Sequence, residues 1–182
     1  MGILQALPRG FIETDDVLVD RARGGDEVAF ARLVDRHSRN AVATALGLLG
    51  DRTEAEEAAQ EAFCRAWQKL VTLHDPAKFK LWVAGILYRI CRDVVRAKGR
   101  ARRAMGALAP AAPQPDGQAS EVADEAMELP DEYREPLVLF YLHEMTVAEL
   151  AVLLGITEEN AKVRLHRARK MLRERLERKG IR

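Results

Sequence analysis

The chain has 182 residues, room for one large domain or two small ones, and its 48% hydrophobic content is enough for packed cores. Its 29 basic and 28 acidic residues nearly cancel to a net charge of +1, so bulk charge points to no partner and the information lies in where each sign clusters. Cys64 and Cys91 lie in apolar helical patterns with no CxxC and no nearby His pair, so both are expected to be buried free thiols rather than a disulfide or metal site.

No apolar run reaches the length of a membrane span, and MGILQALPRGF is too short and too weakly charged for a secretory signal. A cytoplasmic location is expected. Residues 1–14 read as a loose lead-in. From Asp15 onward Val17, Leu18 and Ala22, then Val28, Ala29, Phe30, Leu33 and Val34, predict two helices separated by Gly24 and Gly25. The second continues through Ala41, Val42, Ala45, Leu46 and Leu49 to Gly50. Asp51 and Thr53 are both suitable N-caps for a third helix running to about Leu70. Its opening turns carry Glu54, Glu56, Glu57 and Glu61, where carboxylates favour the positive end of the helix dipole.

His74 to Lys78 reads as a loop, because Pro76 cannot continue a helix and disfavours helical backbone at Asp75. Phe79, Trp82, Val83, Ile86, Leu87, Ile90, Cys91, Val94 and Val95 then repeat at helical spacing. The same helix carries Arg89, Arg92, Arg96, Lys98, Arg100, Arg102 and Arg103 against the single acid Asp93. A C-terminal dipole complement accounts for two or three of these cations, not for all of them. Nucleic acid is the better partner, since phosphate contacts are electrostatic and need no special fold.

From Ala104 to about Glu128 the apolar periodicity gives way to Ala, Pro, Gly, Gln and acidic residues, with Pro110, Pro113, Pro115 and Gly117 close together. This composition predicts an extended interdomain linker, mobile in its first half, whose negative charge either shields a basic face or merely keeps a spacer soluble. Pro130 opens a helix from Asp131 to about His143, whose Leu137, Val138, Phe140 and Tyr141 side is expected to close a core with the two helices C-terminal to it.

Thr146 with Glu149 has capping-box spacing, and Val147, Leu150, Ala151 and Leu154 form a short amphipathic helix ending at Gly155. Thr157 caps the next helix. There Ala161, Leu165, Ala168, Leu172 and Leu176 make a narrow apolar stripe, opposite Glu159, Val163, His166 and Lys170 and flanked by Lys162, Arg167 and Arg173. A basic face alone is also what a solvated helical arm presents. The short capped helix and glycine turn before it make the pair a helix-turn-helix, whose second helix enters the major groove.

Three stretches carry a family resemblance. Asp51-RTEAEEAAQEAFCRA-Trp67 resembles the region-two signature of bacterial RNA polymerase sigma factors, and Phe79-KLWVAGILYRICRDV-Val95 is similar to the helix after it in that family. Leu129-PDEYREPLVLFYLHEMTVAELAVLLGITEENAKVRLHRA-Arg169 is similar to region four. With regions two and four joined by a short linker, the chain resembles an extracytoplasmic-function sigma factor. The resemblance implies an all-α fold of two small helical domains joined by a flexible acidic linker: a region-two bundle at 15–103, a linker at 104–128 and a region-four helix-turn-helix at 129–182.

It also implies roles. Asp51, Glu56, Glu57, Gln60, Glu61 and Arg65 match the segment that docks on core RNA polymerase; Phe63 and Trp67 belong to that match as core side chains. His74, Lys78, Lys80, Tyr88, Arg89, Arg92 and Arg96 are the candidates for the melted −10 strand, since unpaired bases are held in pockets and basic grooves. Lys162, Val163, His166 and Arg167 are the candidates for reading the −35 duplex, with Arg164 and Arg169 on phosphates and Lys170 on the same face. Promoter DNA, core RNA polymerase and an anti-sigma protein are the implied partners, with no cofactor, metal or small-molecule substrate.

Some positions depart from the family pattern. Asp93 stands where Asn is frequent, so either its carboxylate turns to a neighbouring arginine or the −10 preference differs. Glu159 and Val163 replace a frequent Gly and Ser, and Ala58 and Ala59 replace larger aliphatics, which is expected to loosen local packing. A helix-turn-helix repressor or activator working without polymerase is the competing function. An enzyme fits poorly, because His37, His74, His143 and His166 are scattered and no glycine-rich phosphate loop or base-paired nucleophile is present.

Overall fold

The computed structural model describes residues 13–105 and 121–180, and every element among them is helical. The expected lead-in up to residue 12, the proline-rich half of the linker and the side chains of Arg102 and Met105 lie outside the described residues. The helices are α1 (Asp15–Arg23), α2 (Glu27–Leu49), α3 (Arg52–Lys69), α4 (Phe79–Met105), α5 (Glu121–Met127), α6 (Asp131–His143), α7 (Val147–Leu154) and α8 (Glu158–Arg178). Short 3-10 turns at Leu70–Thr72 and Pro76–Lys78 join α3 to α4.

Local chemistry sets the boundaries. Asp26, Asp51, Thr146 and Thr157 each accept a backbone N–H from three residues ahead, satisfying a donor that the first helical turn leaves free. Glu149 completes the capping box at Thr146. Gly50 ends α2 and Gly155 ends α7 in the left-handed conformation, at φ 74° and 68°, where a side chain would be strained.

The first four helices pack around Leu18, Leu33, Phe79 and Leu87, all fully buried. Small residues are buried on both helices of the α2–α3 pair, Ala41 and Ala45 on α2 and Ala55, Ala58, Ala59 and Ala62 on α3. Arg23 donates from Nε to the Leu70 carbonyl at 3.3 Å and from its terminal nitrogen to the Leu73 carbonyl, pinning the α3–α4 connection to α1.

The two helical modules are in direct contact. One continuous core runs from Leu18 and Leu87 to Leu139, Leu150 and Leu165. Along the junction, Asn40 donates to the Leu142 carbonyl at 3.2 Å, and Val138 packs onto the Cα of Gly47, where a Cβ would stand 2.9 Å from a Val138 methyl. A long helix carrying no side chain at that point lets α6 settle into α2.

Several expectations change in detail. The second half of the predicted linker is a helix, α5, held against α8 by Glu125, which is buried and ion-paired with Arg175 and Lys179. The hydrogen bonds from Lys179 and Arg175 hold the Glu125 carboxyl below its usual range. In α6 Leu137 is buried and Val138 and Phe140 pack against the core as expected, whereas Tyr141 is exposed and Leu139 is fully buried in its place. Cys91 is buried as expected and burial pushes its thiol up to about 12, whereas Cys64 is exposed.

Candidate nucleic-acid and polymerase interface

The face of α3 turned from the core is a row of acids and amides. Glu56, Glu57, Gln60, Glu61 and Arg65 are all exposed, and Asp51 begins the row while accepting the Glu54 backbone N–H at 2.9 Å. Arg52 pairs with Glu56 at 3.0 Å and Arg65 with Glu61 at 2.6 Å, one helical turn apart in each case. Glu57 and Gln60 carry no described side-chain partner. Beside this row, between α2 and α3, lies a groove of about 530 Å³ floored by Phe30, Val34, Val42, Ala59, Phe63 and Trp67.

Sequence reasoning did not foresee that groove. Phe63 is core as expected, but Trp67 keeps 37% of its surface exposed and tilts over Phe30 at 4.8 Å between ring centres. Ala59, small where the family prefers larger aliphatics, lines the opening, and exposed Cys64 lies on its wall. The signal was present in the pairing of Phe30 and Val34 one turn apart on a helix already supplied with core residues at Ala29 and Leu33.

A cationic strip runs along the α3–α4 connection and the outer side of α4. His74 and Lys78 are exposed around the turn that Asp75 caps by accepting the Ala77 N–H at 3.1 Å. Lys80 lies 3.8 Å from the largely exposed Glu144. Arg89 and Arg96 are exposed on α4, while Lys98 is spent on Glu54 of α3. Arg92 is partly covered, its guanidinium 5.7 Å from the centre of the Tyr88 ring.

Tyr88 departs from the rest of its set. It is 4% exposed, and its hydroxyl donates to Glu135 Oε2 at 2.8 Å, across the junction to α6. Burial and the Glu135 carboxylate both push its phenol above the ordinary range. In this arrangement the ring is a junction residue and is closed to a nucleic-acid strand.

On α8 the buried stripe is Ala161, Leu165 and Ala168, continued by partly covered Leu172 and Leu176, as the spacing predicts. Lys162, Val163, His166, Arg167 and Lys170 are exposed together on the other side. Arg164 donates to Asn160 Oδ1 at 3.0 Å. Arg167 reaches the Tyr133 hydroxyl at 3.4 Å, and Lys170 stands 3.8 Å from Glu174. Arg169 donates to the Tyr141 hydroxyl at 2.9 Å and lies over the Phe140 and Tyr141 rings at 5.4 and 5.5 Å. Its orientation is thus fixed by α6.

The junction supplies a second group that sequence reasoning missed. Thr44 gives its one hydroxyl proton to the Asn40 carbonyl at 2.7 Å, so at the 2.8 Å contact with His143 Nε2 the imidazole must donate. Nδ1 is then the bare acceptor, and it is buried without a partner. Burial pushes the His143 pKa down to about 4, with Lys80 and His37 adding in the same direction.

The arrangement offers an acid-amide face, a cationic strip and a helix-turn-helix, and no cluster able to hold a metal among the described residues. No helix among them is long and apolar enough to cross a membrane. Two family models match: Sigma-70 region 2 over residues 33–101 and Sigma-70, region 4 over residues 121–172. The second match begins with α5, earlier than the expected start at Leu129.

Among relatives, the chain is 32% identical to the ECF RNA polymerase sigma factor SigM of Bacillus subtilis, over 70% of this chain and 83% of that protein. It is 29% identical to SigW of the same organism, over 87% and 94%. It is 35% identical to the probable RNA polymerase sigma factor RfaY of Xanthomonas campestris pv. campestris, over 85% of this chain but spanning only 42% of RfaY. Among solved structures, CnrH in complex with the cytosolic domain of CnrY aligns over 91% of this chain and 98% of that one, with a TM-score of 0.68 at 27% identity. The sigma factor RpoE in complex with the anti-sigma factor NepR, from Bartonella quintana, shares the fold with a TM-score of 0.70 at 23% identity, over 81% and 96%.

Proposed function

This chain belongs to the extracytoplasmic-function group of sigma-70 RNA polymerase sigma factors, and from that premise we propose how its surfaces divide the work of promoter-dependent initiation. It is a regulatory subunit of polymerase. The observation that carries the division is the separation of charge: acids and amides on the open face of α3, cations on α4 and on α8.

Region two, at 15–103, docks through Asp51, Glu56, Glu57, Gln60, Glu61 and Arg65 on a basic surface of core RNA polymerase. The exposed carboxylates steer the encounter, and the adjoining Phe30–Trp67 groove offers apolar area to the bound partner. His74, Lys78, Lys80, Arg89, Arg92 and Arg96 track the melted −10 strand. Tyr88 joins that set only if α4 and α6 part. Residues 104–128 connect this unit to region four at 129–182.

Region four lays α8 in the major groove of the −35 element. Lys162, Val163, His166 and Arg167 face the base edges; Arg164 and Arg169, already steadied by Asn160 and Tyr141, suit phosphates, as does Lys170. Initiation takes place in the cytoplasm. CnrH is bound to the cytosolic domain of CnrY and RpoE to the anti-sigma factor NepR. By that likeness an anti-sigma protein is the proposed regulator, competing for the α3 face.

A repressor acting alone would have no use for an exposed acidic α3, and that reading is not favoured. Co-purification with core polymerase tests the docking assignment. Reversing charge at Glu57 and replacing Gln60 by Ala should abolish co-elution without changing the helical content of the free chain. Unchanged co-elution would move the docking face elsewhere.

A further inference from the structure

Asp93 is the one acid on the strand-facing side of α4. It is exposed, and with Arg89, Arg92 and Arg96 it lines a shallow cavity of about 240 Å³. Arg89 and Arg96 lie one helical turn to either side of it, yet no ion pair among the described residues reaches its carboxylate. Arg92 is drawn off toward the Tyr88 ring. The carboxylate is left open, between cations that are themselves open.

Three guanidiniums in a row attract a phosphodiester backbone, and a carboxylate among them repels one. What the carboxylate accepts is N–H, and in a melted strand the N–H groups belong to the Watson–Crick edges of bases. Adenine, cytosine and thymine each present N–H from a single ring or amino position there. Guanine presents two adjacent ones, at N1 and N2, with the O6 acceptor beside them. Two carboxylate oxygens match the N1–H and N2–H pair, and a flanking guanidinium matches O6.

We propose that Asp93 makes this chain select an unpaired guanine at one position of the melted −10 segment, with Arg89 or Arg96 reading O6. The inference rests on the assignment of α4 to the −10 strand. Asn at this position has one acceptor and one donor in place of two acceptors, so it could not complete the same pairing.

The test uses holoenzyme reconstituted from core polymerase and the full chain, on templates whose −10 segment is premelted so that each strand's bases vary independently. The wild type should favour guanine at one position of one strand by roughly ten- to a hundredfold, the range of one bidentate base contact. Asp93→Asn should reduce that ratio to below threefold, and Asp93→Glu should keep its direction. An unaltered guanine ratio in Asp93→Asn, or a wild-type preference for cytosine or for no base, overturns the assignment of Asp93 alone. Absence of transcript on every template, premelted or duplex, overturns the sigma reading with it.

Discussion

The Tyr88 hydroxyl of α4 and the Glu135 carboxylate of α6 are joined by a 2.8 Å hydrogen bond, and through it a helix proposed for the −10 element is fastened to the module proposed for the −35 element. A strand that needed the Tyr88 ring would have to compete with region four of the same chain. Tyr88→Phe keeps the ring but removes a hydrogen bond to a partly buried carboxylate, so it should lower stability by about 1.5–3 kcal/mol, the usual worth of a hydrogen bond to a charged group. Urea unfolding checks the magnitude. Small-angle scattering should show the two modules farther apart in Glu135→Ala than in the wild type.

The His143–Thr44 contact makes the junction sensitive to acid. The ordinary histidine pKa of 6.5 falls to about 4 in the fold, so the unfolded or parted chain binds the proton more readily. The sign is then fixed: the contact's full contribution is present above pH 6.5, declines as pH falls toward 4, and declines no further below it. The total amounts to roughly 3 kcal/mol. His143→Gln keeps an N–H for Thr44 without titrating, and its stability should lose this slope between pH 6.5 and 4. An equal slope in both proteins would place the acid sensitivity outside His143.

Gly47 and Val138 test the closeness of the two modules by size alone. A methyl at Gly47 would stand 2.9 and 3.0 Å from the two Val138 methyls, and a β-branched side chain has little freedom to retreat. Gly47→Ala should therefore destabilise by about 1–3 kcal/mol despite the better helix propensity of Ala. Adding Val138→Ala should restore most of the loss. A double variant no better than the single one would mean that the strain lies within α2.

On α8, Lys162 and Arg169 should behave differently. Lys162→Ala removes an unpaired exposed amine and should cost roughly 1–3 kcal/mol of −35 binding at one base position if it reads an edge. Arg169→Ala removes a group already held by Tyr141 and stacked on Phe140, so it should weaken binding to all sequences and also loosen α8 on α6. Binding titrations across a panel of single-base −35 variants separate the two patterns. Uniform weakening by Lys162→Ala would make it a phosphate contact.

The local elements were legible from sequence because their determinants are local. Caps at Asp51, Thr146 and Thr157, the glycine stops at Gly50 and Gly155, and the Ala161–Leu165–Ala168 stripe all act within a turn or two of chain. The junction was not legible, because it depends on residues nearly a hundred positions apart. Thr44 and His143 look ordinary in their own helices, and Gly47 reads as a weak helix position until Val138 is opposite it. Tyr88 was assigned to the strand for the same reason: its neighbour Arg89 is exposed, and only the contact with α6 reveals that Tyr88 is not. The α5 helix was hidden in a segment whose composition, not its pattern, dominated the reading.

The division of labour stands or falls on promoter-dependent initiation. The full chain is combined with core polymerase and a library of duplex promoter fragments, and the run-off transcripts are sequenced. Transcripts should require both proteins and start downstream of a shared pair of elements at −35 and −10 spacing, and they should be lost when Gln60 and Glu57 are altered. Tight duplex binding by the chain alone, with no transcript above that of core polymerase on any fragment, would contradict the assignment.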